Sequence, residues 1–146
     1  MKIVLASTSE YKNNVLDFVH IKHSRIDSDF DEDSVYNENV YEYVKELALG
    51  KVNSVKEKIK DSIIIGLDTV VYAKGIILEK PETIEDAKKA ICLCKNNTTS
   101  VITGLCIINQ KTNEIINEYV ESKVSLRDIE DIDIEYYLKF LEYQLM

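Results

Sequence analysis

The aspartate at position 68 occurs where α/β proteins often do chemistry. Asp68 follows Ile63–Leu67, the strongest strand signal in the chain, and Val70 and Val71 after it favour extended backbone. A carboxylate directly after a buried strand lies at the carboxyl edge of the sheet, where open α/β folds bind their ligands. There it could hold a divalent cation or accept a proton from water. We therefore predict a functional role for Asp68; the alternative is an aspartate that only caps a helix or stabilises a turn.

The start of the chain predicts a strand, a polar corner and a helix. Lys2–Ala6 has the apolar pattern of a buried strand, and Ser7–Ser9 forms the corner. Free backbone N–H groups at a helix start, together with hydroxyls, can hold a phosphate, and Lys12 could add a positive charge. Ser7 and Glu10 also have the spacing of a capping box, so the alternative is that Ser7 only caps the helix. The corner contains no glycine, which excludes a P-loop.

The stretch Asp27–Asp33 is strongly acidic and includes the pair Asp31-Glu32. Hard divalent cations prefer clustered carboxylate oxygens, although the spacing here does not fit an EF-hand. A solvated acidic loop is the alternative. Lys51 on a predicted helix and Lys80 beside a proline are, by themselves, predicted to be surface residues.

Strands and helices alternate early in the sequence, and a hairpin comes late. The longest helical pattern, Glu38–Lys60, has an apolar stripe at helical spacing. Thr83 and Asp86 have the spacing of a capping box before a further helix. These features predict a single α/β domain with a mixed, twisted sheet flanked by helices. The remaining predicted elements are strands at Ser100–Ile108 and Ile115–Leu126, a turn at Asn109–Asn113 and a last helix near Asp133–Tyr143, which buries Ile134, Tyr137, Leu138 and Leu141.

The composition limits the classes of partner. The 146 residues fit one compact domain, and 45 % hydrophobic with 30 % charged residues is typical of a globular protein. The formal charge of −8 argues against broad electrostatic binding to nucleic acid or to an anionic membrane. No apolar run approaches the length that crosses a bilayer. The first residues, Met1–Ser7, turn polar too soon for a signal peptide, so we expect a cytoplasmic location.

Six short motifs occur in an order that resembles the Maf-like family, long called septum formation inhibitors. Each motif is weak alone, but the six in the correct order are far more specific. The family opens with Leu-Ala-Ser-x-Ser and continues with Asp-Glu, Leu-Ala-x-x-Lys, Asp-Thr-Val-Val, Lys-Pro and Val-x-Thr-Gly. The matching segments of this chain are Leu5–Ser9, Asp31-Glu32, Leu47–Lys51, Asp68–Val71, Lys80-Pro81 and Val101–Gly104.

The resemblance implies a fold, a reaction and a set of site residues. Maf-like proteins resemble the inosine-triphosphate pyrophosphatases in fold, which implies a mixed sheet with a deep cleft. Their reaction is the hydrolysis of a nucleoside triphosphate to the monophosphate and pyrophosphate, with a divalent metal, magnesium or manganese. The Asp-Thr-Val-Val motif resembles the branch that acts on dTTP and UTP. By carry-over, Asp68 is the catalytic base or a metal ligand, Glu32 holds the metal, Lys12, Lys51 and Lys80 contact phosphates, and Ser7 contributes from the helix start.

The sequence departs from the family's pattern in three places. The usual Pro-Arg-Arg after the serine corner is Glu10–Lys12, and the usual Gly-Arg and His before the Val-x-Thr-Gly motif are Asn96, Asn97 and Thr99. The Lys-Ala-Gly-x-Tyr-x-x-Gln stretch and the Gly-Leu-Pro segment that normally follow do not occur in this sequence. We therefore expect an exposed sheet edge or apolar surface that a homodimer covers, and lower activity than in a longer relative.

Two other functions remain open at this point. Ser7 and Lys12 have the hydroxyl-x-x-x-x-Lys spacing of the inosine-triphosphate-type pyrophosphatases, although the aspartate-rich central motif of that group is missing. A nucleotide-binding pseudoenzyme of the same fold would keep the pocket without turnover, because binding and chemistry need separate parts of a site. A nucleotide panel with separate measurement of pyrophosphate and orthophosphate distinguishes the three.

Overall fold

The structure is a computed structural model that describes residues 1–78 and 80–145, with side chains described up to residue 140. Its strands are β1 (Lys2–Ala6), β2 (Ser24–Ile26), β3 (Ser62–Ala73), β4 (Ile76–Leu78), β5 (Asn97–Asn109) and β6 (Glu114–Leu126). Its α-helices are α1 (Glu10–Phe18), α2 (Val40–Lys56), α3 (Ile84–Cys94) and α4 (Asp131–Leu145), and a single turn of 3-10 helix spans Glu32–Ser34.

The chain forms two compact units. The first contains Met1–Thr69 and Ile102–Val120, and the second contains Val70–Val101 and the residues from Glu121 onward. Each unit has a hydrophobic cluster of its own. The single domain that the sequence suggests stays a prediction.

The strands form one mixed sheet, so the predicted fold class is confirmed. β1 pairs in parallel with β2, where Val4 lies opposite Ser24, and with β3, where Ile3 lies opposite Ile63. The strand order is β2-β1-β3-β5-β6, and β4 pairs antiparallel with β3. Parallel strands thus form one side of the sheet, and both of their faces need a covering helix.

Helices α1 and α2 provide that cover in the first unit. Val52 and Val55 of α2 pack in one cluster with Ile64 of β3, whereas Leu16 of α1 packs in another with Ile65. Ile64 and Ile65 are neighbours in β3, so their side chains point to opposite faces of the sheet. The two helices therefore lie on opposite faces of the same strands.

Two glycines let α2 lie very close to the sheet. A Cβ atom on Gly66 of β3 would lie 2.5 Å from the carbonyl oxygen of Ala48, and one on Gly104 of β5 would collide with the backbone of Val44. Any side chain at either position would push the helix away from the strands. The close approach brings the middle of α2 against the middle of β3.

The core of the second unit lies between α3 and α4. Ala87 of α3 packs against Ile134 and Leu138 of α4, and both α4 residues are buried as predicted. Tyr137 is 52 % exposed, so the prediction that it is buried is wrong. It lies beside the apolar stripe, where its phenol hydroxyl can stay in water. The fourth predicted core residue of this helix, Leu141, lies outside the described side chains.

One of the two predicted capping boxes forms. Thr83 caps α3, because its Oγ1 accepts a hydrogen bond from the backbone N–H of Asp86 at 3.1 Å. The N-cap of α1 is Ser9 rather than Ser7, and no side chain caps that end. The prediction that Ser7 and Glu10 form a capping box is therefore wrong, since the helix begins two residues later than the box requires.

The longest helix of the described chain is α2, with 17 residues. It ends at Lys56 instead of Lys60 and begins at Val40 instead of Glu38. Among the residues that the structure describes, no helix is both long and apolar enough to cross a membrane.

Candidate active site

Four charged side chains of the first unit converge to form a group that we call the Lys51 cluster: Lys12, Glu32, Lys51 and Asp68. Lys51 Nζ donates a hydrogen bond to Asp68 Oδ1 and lies 2.9 Å from Glu32 Oε1. Lys12 Nζ lies 3.9 Å from the same oxygen of Asp68. Four of the residues that the sequence assigns to the site thus meet, from α1, the 3-10 helix, α2 and β3.

Lys51 is buried because α2 carries it on its apolar face. Ala48 precedes it by three residues and Val55 follows it by four, so the three side chains share one face of the helix. The side chain of Lys51 is only 7 % exposed. A buried lysine needs charged partners, and the two carboxylates of the cluster supply them. The prediction of a surface lysine is therefore wrong.

Asp68 lies inside β3 rather than at its end, which corrects the predicted strand boundary. The neighbouring strand β1 stops earlier, and its last pair with β3 is Leu5 opposite Ile65. Asp68 thus lies three residues beyond the end of the parallel pairing. It shares the face of β3 on which Gly66 meets α2, because side chains two apart in a strand point the same way. This face presents the carboxylate to the helix.

A contact between Phe30 and α2 holds the acidic stretch beside the cluster. The Phe30 ring lies over Gly50, where a Cβ atom would be only 2.5 Å from two ring carbons. Asp31 follows and caps the 3-10 helix by accepting a hydrogen bond from the backbone two residues later at 3.2 Å. Glu32 begins that helix and reaches Lys51, with 54 % of its own side chain exposed. The absence of a side chain at Gly50 therefore helps to place a predicted metal ligand.

The backbone of β3 fixes Lys12 in position. Lys12 Nζ donates a hydrogen bond of 2.7 Å to the carbonyl oxygen of Leu67. The side chain of Lys12 is 18 % exposed. A cation anchored to the main chain stays near Asp68 even when the other partners of that carboxylate change.

The Lys51 ammonium stays protonated in this environment. Burial lowers its pKa and is the largest single influence, but the hydrogen bonds and charges of Asp68 and Glu32 together raise the pKa above its ordinary 10.5. Two ammonium groups and two carboxylates make the cluster formally neutral.

Glu32 and Asp68 fit the donor set of a hard divalent cation. Both carboxylates contact the same atom, Lys51 Nζ, so their oxygens lie close together. Magnesium is often held by one or two carboxylates, with water and substrate phosphates as the other ligands. Among the described side chains, those of residues 1–78 and 80–140, no group of three or more His, Cys, Asp or Glu residues could hold a metal.

The serine corner has a neighbouring arginine that sequence reasoning missed. Arg25 of β2 donates from Nη1 to Glu10 Oε1 at 2.6 Å and to the carbonyl oxygen of Thr8 at 3.5 Å. The register of β2 on β1 explains the approach, since Leu5 lies opposite Arg25. A strand of only three residues, such as β2, carries no sequence signal for this contact. Only the strand pairing reveals it.

Ser7 and Lys80 are not members of the Lys51 cluster. Ser7 is half-buried at the corner, where its Oγ accepts a hydrogen bond from the backbone N–H of Ser9 at 3.2 Å. Lys80 is an exposed residue of the second unit and borders an open pocket together with Pro81 and Lys89. The phosphate contacts of both residues stay predictions.

A pair of hydroxyls joins two of the sequence motifs. Thr69 Oγ1 and Thr103 Oγ1 lie 2.9 Å apart and link β3 to β5. Thr69 follows Asp68 directly, so it points to the opposite face of the strand. Sequence reasoning selected the motifs of these threonines but not the hydroxyls, because strand adjacency is visible only in the fold.

Solved structures share this fold. A nucleoside-triphosphatase, also named dITP/XTP pyrophosphatase, from Mycobacterium abscessus matches with a TM-score of 0.54 at 12 % identity, over 88 % of this chain and 76 % of that one. A HAM1 protein from Coxiella burnetii matches with a TM-score of 0.53 at 11 % identity, over 86 % and 72 %. At such low identity the likeness concerns the fold alone, and it agrees with the mixed sheet expected from the sequence.

The sequence matches the family described as Maf-like protein over residues 2–144. It is 40 % identical to a dTTP/UTP pyrophosphatase of Clostridium botulinum (strain Eklund 17B / Type B) over 144 residues, which cover 97 % of this chain and 77 % of that protein. A relative of the same name from strain Kyoto / Type A2 is 37 % identical over 140 residues, covering 93 % and 72 %. The chain therefore belongs to the Maf-like family.

Proposed function

We propose that this chain hydrolyses a nucleoside triphosphate, dTTP or UTP, to the monophosphate and pyrophosphate. The observation that carries this proposal is the Lys51 cluster, a set of two carboxylates and two lysines drawn from four elements, in which Lys51 and Asp68 are buried. The cluster belongs to a chain that is 40 % identical to a protein named dTTP/UTP pyrophosphatase.

In the proposed reaction, water attacks the phosphorus of the α-phosphate. The bond from that phosphorus to the oxygen bridging the α- and β-phosphates breaks, and pyrophosphate leaves with the oxygen and its electron pair. Asp68 accepts the proton that the attacking water loses. Its carboxylate suits this role because it lies within β3 beside Lys12, which the carbonyl oxygen of Leu67 holds in place, and a base acts best at a fixed position.

Positive side chains would stabilise the charge that develops along the phosphates. We assign such contacts to Lys12, Lys51 and Lys80, with Ser7 contributing from the helix start. We add Arg25, whose guanidinium lies at the serine corner where the family usually has arginines. A guanidinium binds two phosphate oxygens at once, which a lysine does not.

Glu32 and Asp68 would hold the divalent metal, magnesium or manganese. When bound, such an ion polarises phosphate oxygens and lowers the pKa of water. Glu32 remains half-exposed and can turn toward an incoming ligand, whereas Asp68 is held in the sheet. The proposal also includes a cytoplasmic location and a homodimer.

A nucleotide panel tests the proposal. The purified chain is incubated with dTTP, UTP, CTP and dITP, each with magnesium or manganese, and pyrophosphate and orthophosphate are measured separately. We expect pyrophosphate, with the highest kcat/KM for dTTP and UTP. Fastest release from dITP would move the chain to the inosine-triphosphate type, and nucleotide binding without release would make it a pseudoenzyme.

A further inference from the structure

Both proposed metal ligands are bound to the same ammonium group. Lys51 Nζ contacts Asp68 Oδ1 and lies 2.9 Å from Glu32 Oε1, and the lysine side chain is nearly inaccessible to water. A divalent cation would need these same carboxylate oxygens. At such short separations in a buried site, the ammonium and the cation would repel each other strongly. The lysine therefore competes with the metal for its ligands.

We propose that Lys51 is an internal counter-ion that keeps the free protein from binding a divalent cation until a nucleotide arrives. The triphosphate offers Lys51 another anion, and Glu32 and Asp68 then become available to the metal. The nucleotide part of this inference rests on the proposed function, whereas the competition between Lys51 and the metal does not. The metal thus enters together with the nucleotide rather than before it.

Formal charge supports this order of binding. The cluster is neutral with Lys51 in place, so a divalent cation added alone would leave two uncompensated positive charges in a buried site. A triphosphate more than offsets the charge of its metal, and the two arriving together avoid that cost.

The side chains of the cluster are suited to the exchange. Lys51 has a flexible four-carbon stem, so its ammonium can move to a phosphate oxygen without a shift of α2. Lys12 is anchored to the carbonyl oxygen of Leu67 and keeps one positive charge near Asp68 while Lys51 moves. The backbone that carries the two carboxylates does not have to move.

The test is a titration of the protein with manganese in the absence of nucleotide. The spectroscopic signal of free manganese reports how much of the ion is bound. We expect weak, millimolar binding by the wild-type protein. Lys51→Met should bind manganese about tenfold more tightly or better, because one positive charge beside both ligands is gone. Lys45→Met is the matched control. Lys45 lies on the same helix and pairs with Glu42 at 3.1 Å, so its removal should leave manganese affinity unchanged.

Lys51→Gln is a second variant in case Lys51→Met does not fold, because its amide can still donate to Asp68 without carrying charge. Micromolar binding by the wild-type protein would overturn the proposal, as would a folded Lys51 variant that binds manganese no better than the wild type. The nucleotide panel separates this failure from that of the proposed function. If the wild type releases pyrophosphate but also binds manganese tightly without nucleotide, only the counter-ion role of Lys51 is refuted. If manganese binding behaves as expected but no pyrophosphate is released, only the proposed enzymatic function is refuted.

Discussion

Lys51 in the first unit and Lys95 in the second each contact two acidic side chains, but their surroundings differ. Lys95 Nζ lies 3.7 Å from Asp128 and 3.6 Å from Asp131, and those carboxylates are 74 % and 84 % exposed. Lys51 is 7 % exposed and its partner Asp68 11 %. Exposed ion pairs contribute little to stability and are screened by salt, whereas buried charges lose their hydration and must compensate one another.

The difference separates a surface arrangement from a candidate active site. The carboxylates beside Lys95 stay in water, so this lysine needs no buried partner. The first unit keeps Lys51 on the apolar face of α2, where a hydrophobic residue would pack without any need for partners. A fold that retains a buried ionic group in such a position commonly does so for function. Four predictions test this comparison.

The largest expected effect is on turnover. Asp68→Asn should lower kcat by about a thousandfold, since the amide keeps the shape but cannot accept the proton from water. Asp131→Asn removes one carboxylate beside Lys95 and should leave kcat unchanged. Pyrophosphate release measures both variants, and circular dichroism checks that they are folded. Near wild-type turnover by Asp68→Asn would show that Asp68 is not the base.

The second effect is on the free energy of unfolding. Lys51→Met should lower it by about 2–3 kcal/mol because Asp68 loses a buried partner, although Lys12 remains nearby. Lys95→Met should change it by less than about 0.5 kcal/mol. Urea denaturation compares the two. Equal values would mean that the burial of the first pair has no energetic consequence.

The contribution of Lys51 to the free energy of unfolding has a predictable pH dependence. Because the folded protein raises the pKa of Lys51 above 10.5, the stabilising contribution of this lysine is complete below that pH and is lost only as the pH rises through the folded pKa. Denaturation between neutral pH and strongly alkaline pH should therefore bring wild type and Lys51→Met closer together only at the alkaline end.

The smallest effect concerns an exposed pair that belongs to the first unit. Arg25 and Glu10 are as accessible as many surface pairs, with 37 % and 71 % of their side chains exposed. Arg25→Ala should raise KM for dTTP about tenfold through the loss of a charged phosphate contact, with Arg25→Lys in between. The free energy of unfolding should change by less than about 0.5 kcal/mol. An unchanged KM would remove Arg25 from the substrate site.

Sequence patterns predicted the elements well where one local signal decides them. The apolar run before Asp68, the Thr83 cap of α3 and the late hairpin all appear in the structure. The helix after the Ser7–Ser9 corner was also predicted, but the capping box between Ser7 and Glu10 was not formed, because the N-cap position is Ser9 and spacing alone did not show this. The end of the strand signal was placed at Asp68 because a change to polar residues looks like a boundary, yet β3 continues into its antiparallel partner β4.

The convergence of charges was less accessible from the sequence. A signal for Lys51 was present, since it falls between Ala48 and Val55 on the apolar stripe, and a lysine on such a stripe indicates a buried partner. Its two carboxylates could not be chosen in this way, because they come from separate elements that the sheet register and the Gly50–Phe30 contact bring together. Only the family resemblance grouped these residues beforehand.

The most direct test of the central claim is the fate of dTTP in isotopically labelled water. Phosphorus NMR identifies the products, and mass spectrometry locates the heavy oxygen. The proposed site predicts dTMP and pyrophosphate, with the label in dTMP, because water attacks the α-phosphorus beside Asp68. Formation of dTDP and labelled orthophosphate would contradict it, since attack would then be at the γ-phosphate.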